Sequence, residues 1–214
     1  MIPGLLVLHV RKGDFENHCA NLADWGAMWN GMNRFPQFVD KFEVPPRSDG
    51  TEVSPETRAH YMKHCLPTIP EIIAKVEEVA SSPEGEGLKY IYVMTNGKTE
   101  WAEELKVALG NMGVQGPSRA DSDFDSGGAD EGEQWLSPRW EKVATRRDLA
   151  LDWEQTFVSQ AVDMLIGQRA QVLIGNGVSS FMLFLSFLRL FLPSILSPST
   201  PNTSFVSCCC RFLS

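Results

Sequence analysis

Arg11 stands two residues after His9 and three before Asp14, with Gly13 between them, in the run LLVLHVRKGDF. A guanidinium is a planar fork of donors that matches two phosphate oxygens and never loses its charge. Gly13 admits a close backbone approach. Asp14 can orient Arg11 or accept from a hydroxyl. His9 can donate from either ring nitrogen, according to its tautomer. Far along the chain, Ser179 and Ser180 follow Asn176-Gly177-Val178, where a turn would open a helix. Their hydroxyls and amides, with the helix dipole, favour an anion. This set of groups suits a diphosphate cradle. It is neither a P-loop, since no GxxxxGK[ST] occurs, nor a dinucleotide fingerprint, since no GxGxxG follows a strand.

Each residue also has a plainer reading. Arg11 and Asp14 are spaced for a structural ion pair. His9 alone suits a core histidine, NGVSS an ordinary turn with a helix cap, and Phe181 a core position.

The elements around these residues place them at one edge. Leu5 to Val10 is continuously apolar and reads as a buried strand. The stretch 17–58 has little periodicity and reads as a long excursion, with EVPPRSDGTEVSPE a polar loop. Ile69, Ile72, Ile73, Val76 and Val79 form one helical stripe. Tyr90 to Thr95 is a second strand, and NGKTEWAEELKVALGNMG reads as turn, helix and stop, capped by Asn96 or Thr99 and closed by Gly113. The acidic, Gly- and Ser-rich stretch 117–137 reads as a flexible surface loop. A third helix is expected from RRDLALDWEQTFVSQAVDMLIGQ, with Leu149, Trp153, Phe157, Ala161 and Leu165 along one stripe. Asp163 is expected on its surface. Gln171 to Gly175 is a third strand.

Strands joined by helix-length connections imply crossovers, hence an α/β fold with a doubly wound, Rossmann-like parallel sheet. Ligands of such sheets bind beyond the carboxyl ends of the strands. RKGD, NGK and NGVSS would converge there. The fold is expected over 1–182, with 183–214 a low-complexity apolar tail outside it.

With 43% apolar and 21% charged residues among 214, the composition is that of a globular chain. The net charge of −8 and the lack of a basic face argue against nucleic acid as a partner. No CxxC pair occurs, so no metal site is expected. Cys19 and Cys65 could pair or stay as two buried thiols, and spacing does not choose. No signal peptide is recognisable at the start. FMLFLSFLRLFLPSIL (Phe181 to Leu196) is shorter than the ~20 residues of a membrane span and contains Arg189 and Pro193, so membrane contact is not expected. Acylation at Cys208 to Cys210 would be the alternative.

Three motifs carry a family resemblance. HVRKGDF (His9–Phe15), YVMTNGKTEW (Tyr92–Trp101) and AVDMLIGQRAQVLIGNGVSSF (Ala161–Phe181) are similar, in order and spacing, to motifs of fungal members of the protein O-fucosyltransferase superfamily. The resemblance runs from about Leu5 to Phe181. It implies the C-terminal, donor-binding half of an inverting GT-B glycosyltransferase that moves fucose from GDP-fucose to a hydroxyl, with no further cofactor. It implies that Arg11 stabilises the leaving diphosphate, while His9, Gly13, Asp14, Asn176, Ser179, Ser180 and Phe181 line the donor. Gln171 stands where family members carry an Asp that contacts the base. An N-terminal domain would precede His9, and a polar helix would follow Phe181. Neither is seen here, so the chain reads as an incomplete gene model with a translated intron at its end. The family points to the secretory pathway. A non-catalytic nucleotide-sugar-binding module and a membrane-tethered protein are the other readings.

Overall fold

The structure is a computed structural model that describes residues 1–28, 40–46, 52–113, 139–176, 179, 185 and 209–212. Its strands are β1 (Ile2–Val10), β2 (Tyr90–Thr95), β3 (Lys142–Thr145), β4 (Ala170–Gly175) and β5 (Cys209–Phe212). Its helices are α1 (Glu16–Trp25), α2 (Pro55–Cys65), α3 (Ile69–Ala80), α4 (Thr99–Gly110), α5 (Trp153–Thr156) and α6 (Ser159–Arg169). One parallel sheet runs in the order β3-β2-β1-β4-β5. The chain moves outward from β1 to β3, then returns to β1's other side for β4. The strand order therefore reverses beside β1, and the crevice of a doubly wound sheet lies at such a reversal.

Both faces are covered because side chains alternate along each strand. Leu5 and Val7 of β1, Tyr92 and Met94 of β2 and Leu173 of β4 meet Phe15, Cys19, Tyr61 and Cys65 on one face. Leu6, Leu8, Val10, Ile91, Val93, Val172 and Ile174 meet Ile72, Val76, Val79, Leu105 and Leu109 on the other. The stripe expected in α3 is one side of this second core. Thr68 and Glu71 fix the start of α3 with a reciprocal capping box.

The structure departs from the sequence reading in several places. The stretch 17–58 is not wholly irregular, for it contains α1 and the start of α2. These helices lack an apolar period because each buries few side chains: Cys19, Leu22 and Ala23 in α1, Tyr61 and Cys65 in α2. Their ends are set by capping instead. Gly26 stops α1 at φ 62°, and the Ser54 hydroxyl accepts from Thr57 N ahead of Pro55. The disulfide Cys19–Cys65 ties the two helices together.

The single helix expected over 146–168 is broken. Asp152 and Gln155 form a capping box that starts α5 afresh, so the period cannot run through it. Trp153 and Phe157 are 73% and 79% exposed rather than packed in a stripe. The face of α6 that meets the protein is Ser159, Asp163 and Gly167, so Asp163 is buried, not a surface group. β3 has no counterpart in the sequence reading. Cys209–Phe212, from the segment set apart above as a tail, runs parallel beside β4. Most of that segment, and the acidic stretch 117–137, lie outside the described residues. Among the described residues, no helix is long and apolar enough to cross a membrane, and none of the His, Cys, Asp and Glu groups is clustered for a metal.

Candidate functional site

In the parallel register Val10 pairs with Thr95, and His9 pairs with both Met94 and Gly175. Arg11, Asn96 and Asn176 are therefore the first residues past three adjacent strands. The two asparagine side chains bind this edge together. Asn176 Oδ1 accepts from the backbone N–H of Arg11 at 3.2 Å, and its Nδ2 donates to the Cys65 carbonyl at 2.6 Å. Asn96 Oδ1 accepts from the N–H of Lys12 at 2.9 Å and of Gly13 at 3.1 Å. Asn96 Nδ2 donates to Asp14 Oδ1 at 2.7 Å.

Arg11 is thus held at both ends. Its backbone is fixed by Asn176 and its side chain by Asp14, to which Nε donates at 3.2 Å and Nη2 at 2.8 Å. The guanidinium also lies 5.1 Å from the centre of the Phe15 ring. Two of its five N–H donors point to Asp14, which leaves three for a ligand, and its side chain is 40% exposed. The hydrogen bond to Asp14 raises the guanidinium's pKa further. Arg11 and Asn96 together hold the Asp14 carboxyl down to about 2.

His9 lies one pleat before Arg11 on the same face. Burial, and then the charge of Arg11, lower its imidazole to about 4, so it is neutral at pH 7. Lys12 adds a second cation to the turn, with Nζ 5.5 Å from the Trp101 ring and 3.4 Å from the Pro67 carbonyl. Gly13 is packed so closely that a Cβ would stand 2.6 Å from the Asn96 carbonyl oxygen.

The structure brings His9, Arg11, Gly13, Asp14, Asn176 and Ser179 to this edge. Asn176 is fully buried, with both ends of its side-chain amide engaged inside the protein. Ser179 donates its N–H to the Asn176 carbonyl at 3.1 Å, and its buried hydroxyl has no hydrogen-bond partner among the described residues. Ser180 and Phe181 lie outside the described residues.

Gln171 is not brought here. It lies at the amino end of β4, about 16 Å before Asn176 at the rise of a strand. Its Oε1 accepts from Gly4 N at 2.8 Å, and its Nε2 donates to the carbonyls of Glu84 and Glu86. The reason is local: Gly4, at φ 75°, leaves the β1 ladder at a register shift, and the Gln171 amide closes that gap.

Asn96 belongs to this edge through its hydrogen bonds and was not among the candidate site residues read from the sequence. The sequence offers Asn96 or Thr99 as the cap of α4, but α4 has Lys98 at its N-cap and no side-chain cap. The position of Asn96 immediately past a strand end, in an Asn-Gly pair, was the available signal.

No family model matches the chain, and no curated protein matches it. Among solved structures it is similar to the apo form of protein O-fucosyltransferase 1, at 15% identity and a TM-score of 0.49, covering 90% of this chain and 40% of that one. It is also similar to the same enzyme in complex with GDP, at 14% identity and a TM-score of 0.47, covering 99% and 42%. The chain spans about two fifths of the length of these structures.

Proposed function

We propose that the carboxyl edge around Arg11 binds the diphosphate of a nucleotide sugar, and that the chain is the donor-binding part of a fucosyltransferase-like glycosyltransferase. The donor in this reading is GDP-fucose and the acceptor a hydroxyl. The observation that carries it is the double anchoring of Arg11 at the strand-order reversal, with three donors still directed away from Asp14. The three sequence motifs supply the identity of the sugar and nucleotide.

The chemistry asked of Arg11 follows from its charge. In an inverting transfer the acceptor oxygen attacks the sugar's anomeric carbon from the face opposite the diphosphate. The bond from that carbon to the phosphate oxygen breaks, the acceptor's proton passes to water, and negative charge builds on the departing diphosphate. A fixed cation stabilises that charge without having to reorganise. Asp14, with its carboxyl held at about 2, is too weak a base to take the acceptor proton near pH 7 and serves to orient Arg11. His9, held down to about 4, is also a poor base there and acts as a neutral hydrogen-bonding group. The buried Ser179 hydroxyl, without a hydrogen-bond partner among the described residues, supports a ligand at the same edge, since buried polar groups rarely go unpaired.

A non-catalytic nucleotide-sugar-binding module is the second reading. Asp14 and His9 favour it, because both are poor bases near pH 7 and neither would take the acceptor proton.

Thermal unfolding of the chain in the presence of GDP, GDP-fucose and UDP tests the binding. A ligand at a hundred times its dissociation constant stabilises by about 2.7 kcal/mol. A shift with GDP and GDP-fucose, absent with UDP and absent in Arg11→Ala, is the expected result. No shift in a cooperatively folding sample overturns the reading. Loss of cooperative unfolding in Arg11→Ala would mark Arg11 as a structural ion-pair residue. Transfer of labelled fucose to an acceptor mixture separates the enzyme from the binding module.

A further inference from the structure

The end of β3 carries a group of residues that the donor reading leaves unused. Arg146 and Arg147 follow Thr145 directly and leave the sheet at its carboxyl edge. Arg147 Nη2 donates to the Gly97 carbonyl at 2.9 Å, so the turn after β2 that grips the Arg11 loop through Asn96 also grips Arg147. With Leu149, Leu151, Thr156 and Ser159, the two arginines line an open groove of about 180 Å³. That is below the ~300–1,000 Å³ of a whole small-molecule site and suits one ligand group.

The groove is positive in a chain whose net charge is −8. None of its six lining residues is acidic. Arg147 is held by a neutral carbonyl, and no carboxylate pairs with it among the described residues. Arg146 meets Asp163 only at 3.8 Å and the Ser159 hydroxyl at 3.5 Å. Asp163 is shared, since Tyr92 donates its hydroxyl to Oδ1 at 2.7 Å, and burial pushes the Asp163 carboxyl up, which weakens it as a counter-charge. Of the acidic side chains on the same stretch, Asp148 is engaged by Lys106 at 2.6 Å and by Thr145, Asp152 accepts from Gln155 N at 2.7 Å, and Glu154 is exposed. Two guanidinium forks and the Ser159 O–H form a donor set for an oxyanion.

We propose that the Arg146–Arg147 groove is a second oxyanion subsite, which takes a phosphoryl or carboxylate group of a ligand lying along the carboxyl edge. It rests on the groove alone and stands whether or not Arg11 binds a donor.

The test is methyl-resolved NMR of Leu149 and Leu151 in the intact chain at low salt, titrated with inorganic phosphate and, separately, citrate. Saturable shifts of both leucines are expected in the native chain and in Arg11→Ala, with at least a tenfold weaker response in R146Q/R147Q. Leucine methyls that do not move with either anion, or that move equally in R146Q/R147Q, overturn the subsite. If the double variant loses its dispersed spectrum, Arg147→Gln alone is judged by the same criterion, because Arg147 contributes one bond to a carbonyl on a surface turn. Displacement of phosphate by GDP would assign the group to a nucleotide. Independent saturation by GDP and phosphate would assign it to a second ligand.

Discussion

The Asn96 side chain holds Asp14 at 2.7 Å through its amide nitrogen, while its oxygen accepts from the two backbone N–H groups that precede Asp14. One side chain from β2's turn therefore sets both the path of the Arg11 loop and the orientation of the carboxylate that aims Arg11. Asn96→Ala is expected to weaken GDP binding at least tenfold while reducing stability by about 1–4 kcal/mol, from three hydrogen bonds each worth about 0.5–1.5 kcal/mol. Asn96→Asp keeps an acceptor for Lys12 and Gly13 but sets a carboxylate against Asp14, and should weaken binding as much. Calorimetric titration with GDP, beside urea unfolding, checks both. Equal affinity in the native chain and Asn96→Asp would show that Asp14 does not depend on Asn96.

Gly13→Ala tests the same loop sterically. A methyl there would stand 2.6 Å from a backbone oxygen of the neighbouring turn, so one of the two turns must move. Overpacking of this kind costs about 1–3 kcal/mol, and here it also displaces Arg11. Gly110→Ala is the control, because its Cβ meets open space at the end of α4 and should stabilise by up to about 1 kcal/mol. Urea midpoints that fall for Gly13→Ala and hold or rise for Gly110→Ala are the expected outcome.

His9 makes stability depend on pH. Its folded-state pKa, lowered to about 4 by burial and Arg11, lies below the 6.5 of an exposed imidazole. Between these values the unfolded chain binds more protons, so stability is complete above pH 6.5 and falls as the pH drops toward 4. The loss is up to about 3 kcal/mol at 1.36 kcal/mol for each pH unit of separation. Asp14 acts in another window: its lowered pKa keeps the pair with Arg11 intact until the pH approaches 2. Unfolding free energies measured from pH 7.5 to 4 should slope in the native chain and slope less in His9→Gln, the remainder coming from His64, whose burial also lowers its imidazole.

Removing the Cys19–Cys65 disulfide is expected to destabilise the chain by about 4 kcal/mol, from the loop-closure entropy of its 46-residue separation. The effect should reach the site. Cys65 ends α2, and its carbonyl holds the Asn176 amide whose oxygen fixes the Arg11 backbone. Calorimetric scans with and without reductant should show the loss of stability, and GDP affinity should fall in the reduced chain at temperatures where it remains folded. Unchanged affinity there would separate the disulfide from the site.

The three central strands, α3 and the convergence of their polar turns were legible because each rests on a local signal. An unbroken apolar run, a helical stripe and a polar glycine turn can all be read within about a dozen residues. Arg11 could be singled out because a charged fork after a buried strand needs a reason. The sequence by itself therefore determined the parallel α/β layering and the edge at which the polar turns gather. What the tertiary structure decided depends on groups far apart in the chain. It paired Cys19 with Cys65, which spacing left open. It took Gln171 away to the amino end of β4, because an amide there satisfies Gly4, Glu84 and Glu86 across the ladder gap. It buried Asp163 against Tyr92 and left Trp153 and Phe157 outside, because a capping box broke the helix that would have aligned them. And it gave Asn96 its role, because the donors that an amide side chain satisfies are fixed only when another strand, more than eighty residues away, ends beside it.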